Sequence, residues 1–325
     1  MYLSARPTES ADFERCFALA RDRALYRPGE ERQLFALWEE VLQGGQGTSA
    51  VVEDEDRPPG RRIVGFGLDV FVADWLIEQA PTLPPYLGPY LLQLRASGRS
   101  PILTPAEVAA AATGEGLNVL GLHSGWADEE LSAEEVHRVW HLVVETFAVQ
   151  HRGLNLRSFC SEMYGERDRD FMGQLGARVW NDFEGFFAQN PAARPPADRH
   201  PYLVGMMRSQ ALARAGTLAF AAFFPTAPRF AFTARQQQVL RCALAGHTDA
   251  AIAAELGVSL VTVKKLWGNI YARVQDRGAC SLPPALPPPC EGQQRGSEKR
   301  RYLLNYLRSH PEELRLPQPP RRRDE

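Results

Sequence analysis

FTARQQQVLRCALAGHTDAAIAAELGVSLVTVKKLWGNIYARV, residues 232–274, lays out three helices with separate start signals at helix-turn-helix spacing. Thr233 and Gln236 form a capping box, the threonine oxygen facing the Gln236 amide while the glutamine side chain reaches back. Val239, Leu240, Ala243 and Leu244 give the first helix one apolar face. Gly246 stops it where left-handed backbone is cheapest. Thr248 and Asp249 then restart the chain, one capping orphan amides and the other favouring the positive end of the helix dipole. The second helix buries Ile252, Ala253 and Leu256 and ends at Gly257, whose missing Cβ permits a tight turn into a steeply crossing third helix capped by Ser259.

On that third helix Val263, Trp267, Ile270 and Val274 share a face and are expected to pack on the first two. The opposite face presents Val261, Thr262, Lys264, Lys265 and Gly268, flanked by Asn269 and Arg273. It suits a recognition helix in the major groove with its N-terminal half at the base edges. Thr248 and Ser259, at the two helix starts, complete the expected DNA-contacting set. An ordinary helical hairpin would also supply amphipathic helices and glycine turns, but it has no need of the basic face that here accompanies the caps, the turn and the core stripe.

These residues closely resemble the LuxR-type helix-turn-helix of bacterial transcription regulators. The family's opening Thr/Ser and its polar turn fall on residues 233–238, its loop glycine on Gly246, its scaffold helix on 250–256 and its turn on Gly257-Val258-Ser259. Its Thr-Val-Lys signature is Thr262-Val263-Lys264, followed by Asn269-Ile270-Tyr271. The resemblance implies a DNA contact for Lys264. Two positions depart from the pattern: residue 265, often apolar in the family, is Lys, and Gly268 has no side chain where many members place one that reads DNA.

The 325 residues suggest about two domains, and 44% hydrophobic residues are enough for real cores. Charge is unevenly placed, with 22 basic and 30 acidic residues in 1–232, six and three in 233–277, and nine and six in 278–325. That asymmetry fits an acidic regulatory region joined to a DNA-contacting end, where positive charge gains affinity by releasing counterions. The five cysteines, Cys16, Cys160, Cys242, Cys280 and Cys290, include no CxxC pair, so neither a disulfide framework nor a zinc cluster is indicated and a cytoplasmic location is expected. Arg6, Glu9 and Asp12 stand where a signal segment would be apolar. The most apolar run, residues 218–224, stops at Pro225, far short of a span, so no membrane role is expected.

Upstream, helical patterns at 11–25 and 30–42 precede Val51-Val52 and a strand over 61–72, with the acidic, proline-bearing 53–60 as the hairpin loop. Residues 81–89 read as a break. Thr104, Pro105 and Glu107 start a helix, 117–122 reads as a central strand, and 132–150 as an amphipathic helix. A strand near 154–163 and a helix-strand pair across 168–183 follow. This order resembles an acyltransferase fold of the GNAT class over residues 1–187, most specifically in Phe171-Met172-Gly173-Gln174-Leu175-Gly176-Ala177 leading into 179–183. A PAS-like or GAF-like sensor sheet is the alternative.

The GNAT resemblance implies a cofactor pyrophosphate held on backbone amides of a Gln/Arg-x-x-Gly-x-Gly/Ala loop. Here the corresponding Trp126-Ala127-Asp128-Glu129-Glu130 has no glycine run and carries charge that repels phosphate. A catalytically silent sensor is therefore expected, with no catalytic residue and no cofactor. His137 and His141 lie one turn apart but lack a third ligand, so no metal is expected. Cys160 reads as a buried, inert thiol. Trp75, Trp126, Trp140 and Trp180 are candidates for a ligand pocket or simply for the core.

The reading is an α+β sensor domain, GNAT-like or otherwise, over 1–189; a linker or docking segment, 190–231; a LuxR-type all-α helix-turn-helix, 232–277; a proline-rich insert, 278–296; and a C-terminal helix with a basic tail, 297–325. Within the linker, 206–224 is either a docking or dimer helix or a core helix of the first domain. In the LuxR-type family the fourth helix dimerises. Tyr302, Leu303, Tyr306 and Leu307, opposite Arg300, Arg301 and Arg308, are thus expected to form a dimer helix or to contact phosphate. The expected function is sequence-specific binding of double-stranded DNA by a homodimeric transcription regulator with a possible small-molecule effector. The alternative is an acyl-CoA-dependent acyltransferase with a DNA-binding appendage.

Overall fold

The computed structural model describes residues 1–127, 129–278 and 295–315. Asp128, Cys280, Cys290, most of the proline-rich insert and the basic tail lie outside the described residues. The chain divides into two compact units, Met1–Gln150 with Asn155–Phe223, and His151–Leu154 with the chain from Phe224 onward.

The first unit runs β1 (Leu3–Pro7), α1 (Phe13–Leu19), α2 (Glu30–Gly44), β2 (Gly47–Asp54), β3 (Ile63–Val72), α3 (Asp74–Glu78), α4 (Leu87–Ala96), α5 (Pro105–Thr113) and β4 (Leu117–Trp126). It continues with α6 (Ala133–His151), β5 (Leu156–Tyr164), α7 (Gly165–Leu175), β6 (Arg178–Asn181), α8 (Glu184–Gln189), β7 (Pro201–Met207), α9 (Arg208–Leu212) and α10 (Leu218–Phe223). Seven strands form one mixed sheet in the order β1-β2-β3-β4-β5-β7-β6. Only β4 and β5 are parallel, and α6 is the helical crossover that parallel neighbours require. Leu34, Leu37, Trp38 and Val41 bury one stripe of α2, with the Trp38 ring 6.0 Å from that of Phe66 on β3. β3 itself is buried along nearly its whole length, as a central strand covered on both faces must be.

The expected helix-hairpin-helix-strand order is present, and the unit is the α+β mixed sheet read from the sequence. Its boundaries differ. Pro201 opens β7, which sits in the sheet between β5 and β6, so the first unit does not end at 189 and 190–231 is not a linker. Proline is tolerated at the first residue of a strand, so its presence there did not mark a joint. Residues 206–224 form the end of β7 and the short α9 and α10; Ala222 and Phe223 are buried in the first unit, which makes this stretch part of its core rather than a dimer helix. The break at 81–89 holds the start of α4, with Pro89 in the first turn where its missing N–H costs nothing.

The second unit is helical: α11 (Ala234–Leu244), α12 (Asp249–Glu255), α13 (Leu260–Gly278) and α14 (Arg295–Ser309). Phe230, Phe232, Val239, Leu240, Ile252, Val263, Ile270, Leu303 and Leu307 form its core. Among the described residues, no helix is long and apolar enough to cross a membrane.

Candidate nucleic-acid interface

The three starts read from the sequence are built as expected. Thr233 Oγ1 accepts from the Gln236 amide at 3.3 Å while the Thr233 amide donates to Gln236 Oε1 at 3.0 Å. Thr248 Oγ1 accepts from the Ala251 amide at 3.3 Å, and Ser259 Oγ from the Thr262 amide at 3.1 Å. Gly246 and Gly257 take positive φ, 84° and 62°, where other residues would be strained.

These caps set the rotation of α13. Val263, Trp267, Ile270 and Val274 are buried, so Val261, Thr262, Lys264, Lys265, Gly268 and Asn269 are exposed on the other side. Val261 is 76% exposed, which no core role explains. A side chain at Gly268 would meet nothing within 4 Å, so this glycine leaves the middle of the face open. Arg273 departs from the expected set: it is half-buried and its guanidinium donates to the Ala231 carbonyl at 2.6 Å, holding the segment before α11 rather than pointing at a ligand.

Two buttresses were not foreseen. Asp249 accepts from Trp267 Nε1 at 3.2 Å and from Arg300 at 2.7 Å, joining α12, α13 and α14. Glu313 accepts from the Arg229 and Phe230 amides at 2.9 and 2.8 Å and from the Tyr306 hydroxyl at 3.2 Å, and its burial raises its pKa above the ordinary range. The proposed dimer helix is accordingly corrected. Leu303 and Leu307 are 2% and 1% exposed inside their own unit, and Tyr306 lies 5.5 Å from the Phe230 ring, because the fourth helix closes the three-helix core on itself. Tyr302 alone of the four is outside that core, half-buried beneath Arg301.

Cys242, His247 and Glu255 bring a thiol, an imidazole and a carboxylate within 4.8 Å of one another. His247 Nδ1 and Glu255 lie 2.8 Å apart, and burial together with Glu255 raises the Cys242 pKa, keeping the thiol protonated. Their spacing matches no ligand motif, so the trio carries no signature in the sequence.

In the first unit, the start of α6 is already occupied. Glu135 accepts from the Ser132 amide and hydroxyl at 2.8 and 2.9 Å, and Glu130 receives Arg57 at 2.7 Å and Arg15 at 3.3 Å. A buried polar group packs against α2 and α4. The Tyr26 hydroxyl is 2.5 Å from His123 Nε2, and Glu162 accepts from the Tyr86 and Leu87 amides at 2.6 and 2.9 Å and from the Tyr164 hydroxyl at 2.8 Å. Burial pushes Glu162 up to about 7 even with three donors, and its placement makes it the cap of α4. Of the four tryptophans considered for a pocket, Trp126 and Trp140 line a cavity and Trp75 and Trp180 do not.

Residues 231–281 match the family described as bacterial regulatory proteins, luxR family (GerE), so the second unit carries a LuxR-type helix-turn-helix domain. No curated protein matches the chain. Several solved structures resemble it in fold. The C-terminal condensation domain of Ebony in complex with beta-alanyl-dopamine is 13% identical, with 64% of this chain and 99% of that one covered at a TM-score of 0.38. Arabidopsis thaliana NAA60 in complex with acetyl-CoA is 16% identical, covering 63% and 99% at 0.37. Mutant forms of the spermidine/spermine N-acetyltransferase SpeG from Vibrio cholerae are 12% identical, covering 66% and 98% at 0.35. Likenesses this distant say nothing of chemistry.

Proposed function

We propose that the chain is a transcription regulator that binds double-stranded DNA sequence-specifically through α13, as a homodimer, with its first unit sensing a small molecule or mediating assembly. The observation that carries this reading is the exposed face of α13: Val261, Thr262, Lys264, Lys265 and Asn269 stand free on a helix whose other face is locked into a core, the arrangement a major-groove reader needs. Thr248 and Ser259, at the helix starts, present backbone amides and hydroxyls to phosphate. Dimer contact involves residues other than Leu303 and Leu307, which are spent on the core.

The acyltransferase reading is disfavoured by the α6 terminus. Its leading amide and hydroxyl are taken by Glu135, and a carboxylate standing there repels the pyrophosphate that such a terminus would have to hold. Selection of binding sites from random duplexes by the full chain, followed by anisotropy titrations, tests the proposal. Enrichment of a two-fold symmetric site, with specific binding well above that to scrambled duplex, is expected. Binding with no sequence preference, or acetyl transfer that co-purifies with the chain, would overturn it.

A further inference from the structure

The sheet face that α6 covers carries unusually small residues at successive strands: Ala50 on β2, Gly67 on β3, Gly121 and Ser124 on β4 and Ser161 on β5. Their short side chains leave a cavity of about 120 Å³ between the sheet, α6, α7 and α10, all within the first unit. Its walls are apolar, including Phe147, Phe159 and the adaptable Met163 and Met206.

Two titratable groups line this cavity, the His123 imidazole, whose Nε2 is held by the Tyr26 hydroxyl and Asp22, and a carboxyl. Asp69 on β3 is buried, and its carboxylate has a single hydrogen-bond partner, the Thr48 hydroxyl at 3.5 Å. Among the described residues, most other buried carboxylates are better supplied with donors, Glu312 excepted, which has His310 on one oxygen and nothing on the other. Asp12 has Arg6, Asp54 has Arg57, Asp168 has Arg21 and Arg167, and Glu162 has two amides and a hydroxyl. Burial pushes the Asp69 carboxyl up to about 7, so at neutral pH an entering cation finds a carboxyl poised to ionise. A structural aspartate would need none of this space; a buried acid beside an empty apolar cavity is the complement of a cation with a hydrocarbon body.

We propose that this cavity binds a small apolar primary amine, its ammonium paired with Asp69 and its hydrocarbon part against the aromatic and methionine walls. A volume near that of the ~150 Å³ cavity known to accept benzene points to a ligand the size of benzylamine. The proposal rests on the reading of the first unit as a sensor and names its ligand class. Leu218, Ala219 and Phe223 of α10 line the same cavity, and α10 is the last element before the chain enters the second unit, so occupancy bears on the segment that leads to the DNA-binding helices.

The test is calorimetric titration of the full chain near pH 7.5 with benzylamine and hexylamine, with benzyl alcohol and hexanol as neutral isosteres, on wild type and Asp69→Asn. Asp69→Asn removes a costly buried charge and keeps the side-chain volume; unchanged far-ultraviolet circular dichroism verifies the fold, and Gly67→Leu, which fills the cavity, is the second variant. Saturable amine binding, tighter than that of the alcohols by about tenfold or more, lost in Asp69→Asn as a preference and in Gly67→Leu altogether, is expected. Equal binding of amines and alcohols, an amine preference that persists in Asp69→Asn, or no binding at all overturns the proposal. Anisotropy with selected DNA on the same samples separates the two readings. Amine binding that leaves DNA affinity unchanged supports the site and sinks the sensor reading, whereas intact DNA binding with no amine binding sinks the site alone.

Discussion

Arg300 of α14 reaches back across 51 residues to the carboxylate of Asp249 at the start of α12, at 2.7 Å, and its guanidinium lies 4.6 Å over the Trp267 ring of α13. One side chain therefore fixes α12 and α13 to the fourth helix without standing on the exposed face of α13. Both partners are partly exposed, so the pair is worth less than a buried one, but the ring contact and the second bond to the His247 carbonyl add to it. Arg300→Ala should lower the stability of the second unit by about 1–2 kcal/mol and weaken DNA binding through misplacement of α13. Chemical denaturation followed by circular dichroism of the helices measures it. An unchanged midpoint would show that the pair contributes nothing.

Leu307 is fully inside the second unit's core, so truncating it leaves a cavity rather than a bare interface. Leu307→Ala should cost about 2–5 kcal/mol, visible as an earlier unfolding transition. If instead the variant unfolds like wild type but sediments as a smaller species, the side chain belongs to a contact between copies, and its assignment to the core fails.

The helix-turn-helix was legible because its signals are local. Thr233 with Gln236, Thr248, Ser259 and the Val263-Trp267-Ile270-Val274 stripe each declare themselves within a turn or two of helix. The stripe on α14 is equally visible, but periodicity says only that a face is buried and not against what, so it points to a dimer helix or a phosphate contact as readily as to the core that Leu303 and Leu307 share with Ile270 and Phe230. β7 was hidden by Pro201 and by the prolines before it. Asp69 sits within IVGFGLDVFV, where alternation cannot reveal that its inward face meets a cavity, since the glycines and Ala50 that open it come from three strands. The Arg300–Asp249 and Glu313–Phe230 contacts are long-range and have no sequence signature.

Glu162 and Asp69 both hold folded-state pKa values of about 7, raised by burial, against ordinary values of 4.5 and 3.8. Between those limits the folded chain binds more protons than the unfolded one, so stability is present in acid and is lost as pH rises toward 7. Each group contributes at most about 1.4 kcal/mol per pH unit in that window. Glu162 faces Asp22, whose negative charge adds to the upward shift, while the Leu87 and Tyr86 amides and the Tyr164 hydroxyl oppose it. The melting temperature of the first unit should therefore fall more steeply between pH 5 and 7 in wild type than in Glu162→Gln. Parallel curves for the two proteins would mean that Glu162 titrates normally.

Lys264 and Lys265 are adjacent and both exposed, but a helix turns about 100° between them, so they cannot address the same feature of a duplex. Lys265 stands opposite the buried Val263-Trp267-Ile270-Val274 stripe, at the centre of the free face, where base edges are reached; Lys264 lies toward its flank, where phosphates are. Lys265→Ala should cost about 1–3 kcal/mol and relax preference at one base position, whereas Lys264→Ala should weaken all duplexes alike and reduce the salt slope by about one. Gly268 refines the test. Its position is open, so Gly268→Ala should stabilise α13 by about 0.5–1 kcal/mol through helix propensity alone, and Gly268→Arg should add a phosphate or base contact that steepens the salt slope. Titrations over a range of salt with selected and scrambled duplexes measure all four variants. Identical salt slopes and identical base preferences throughout the set would remove α13 from the interface.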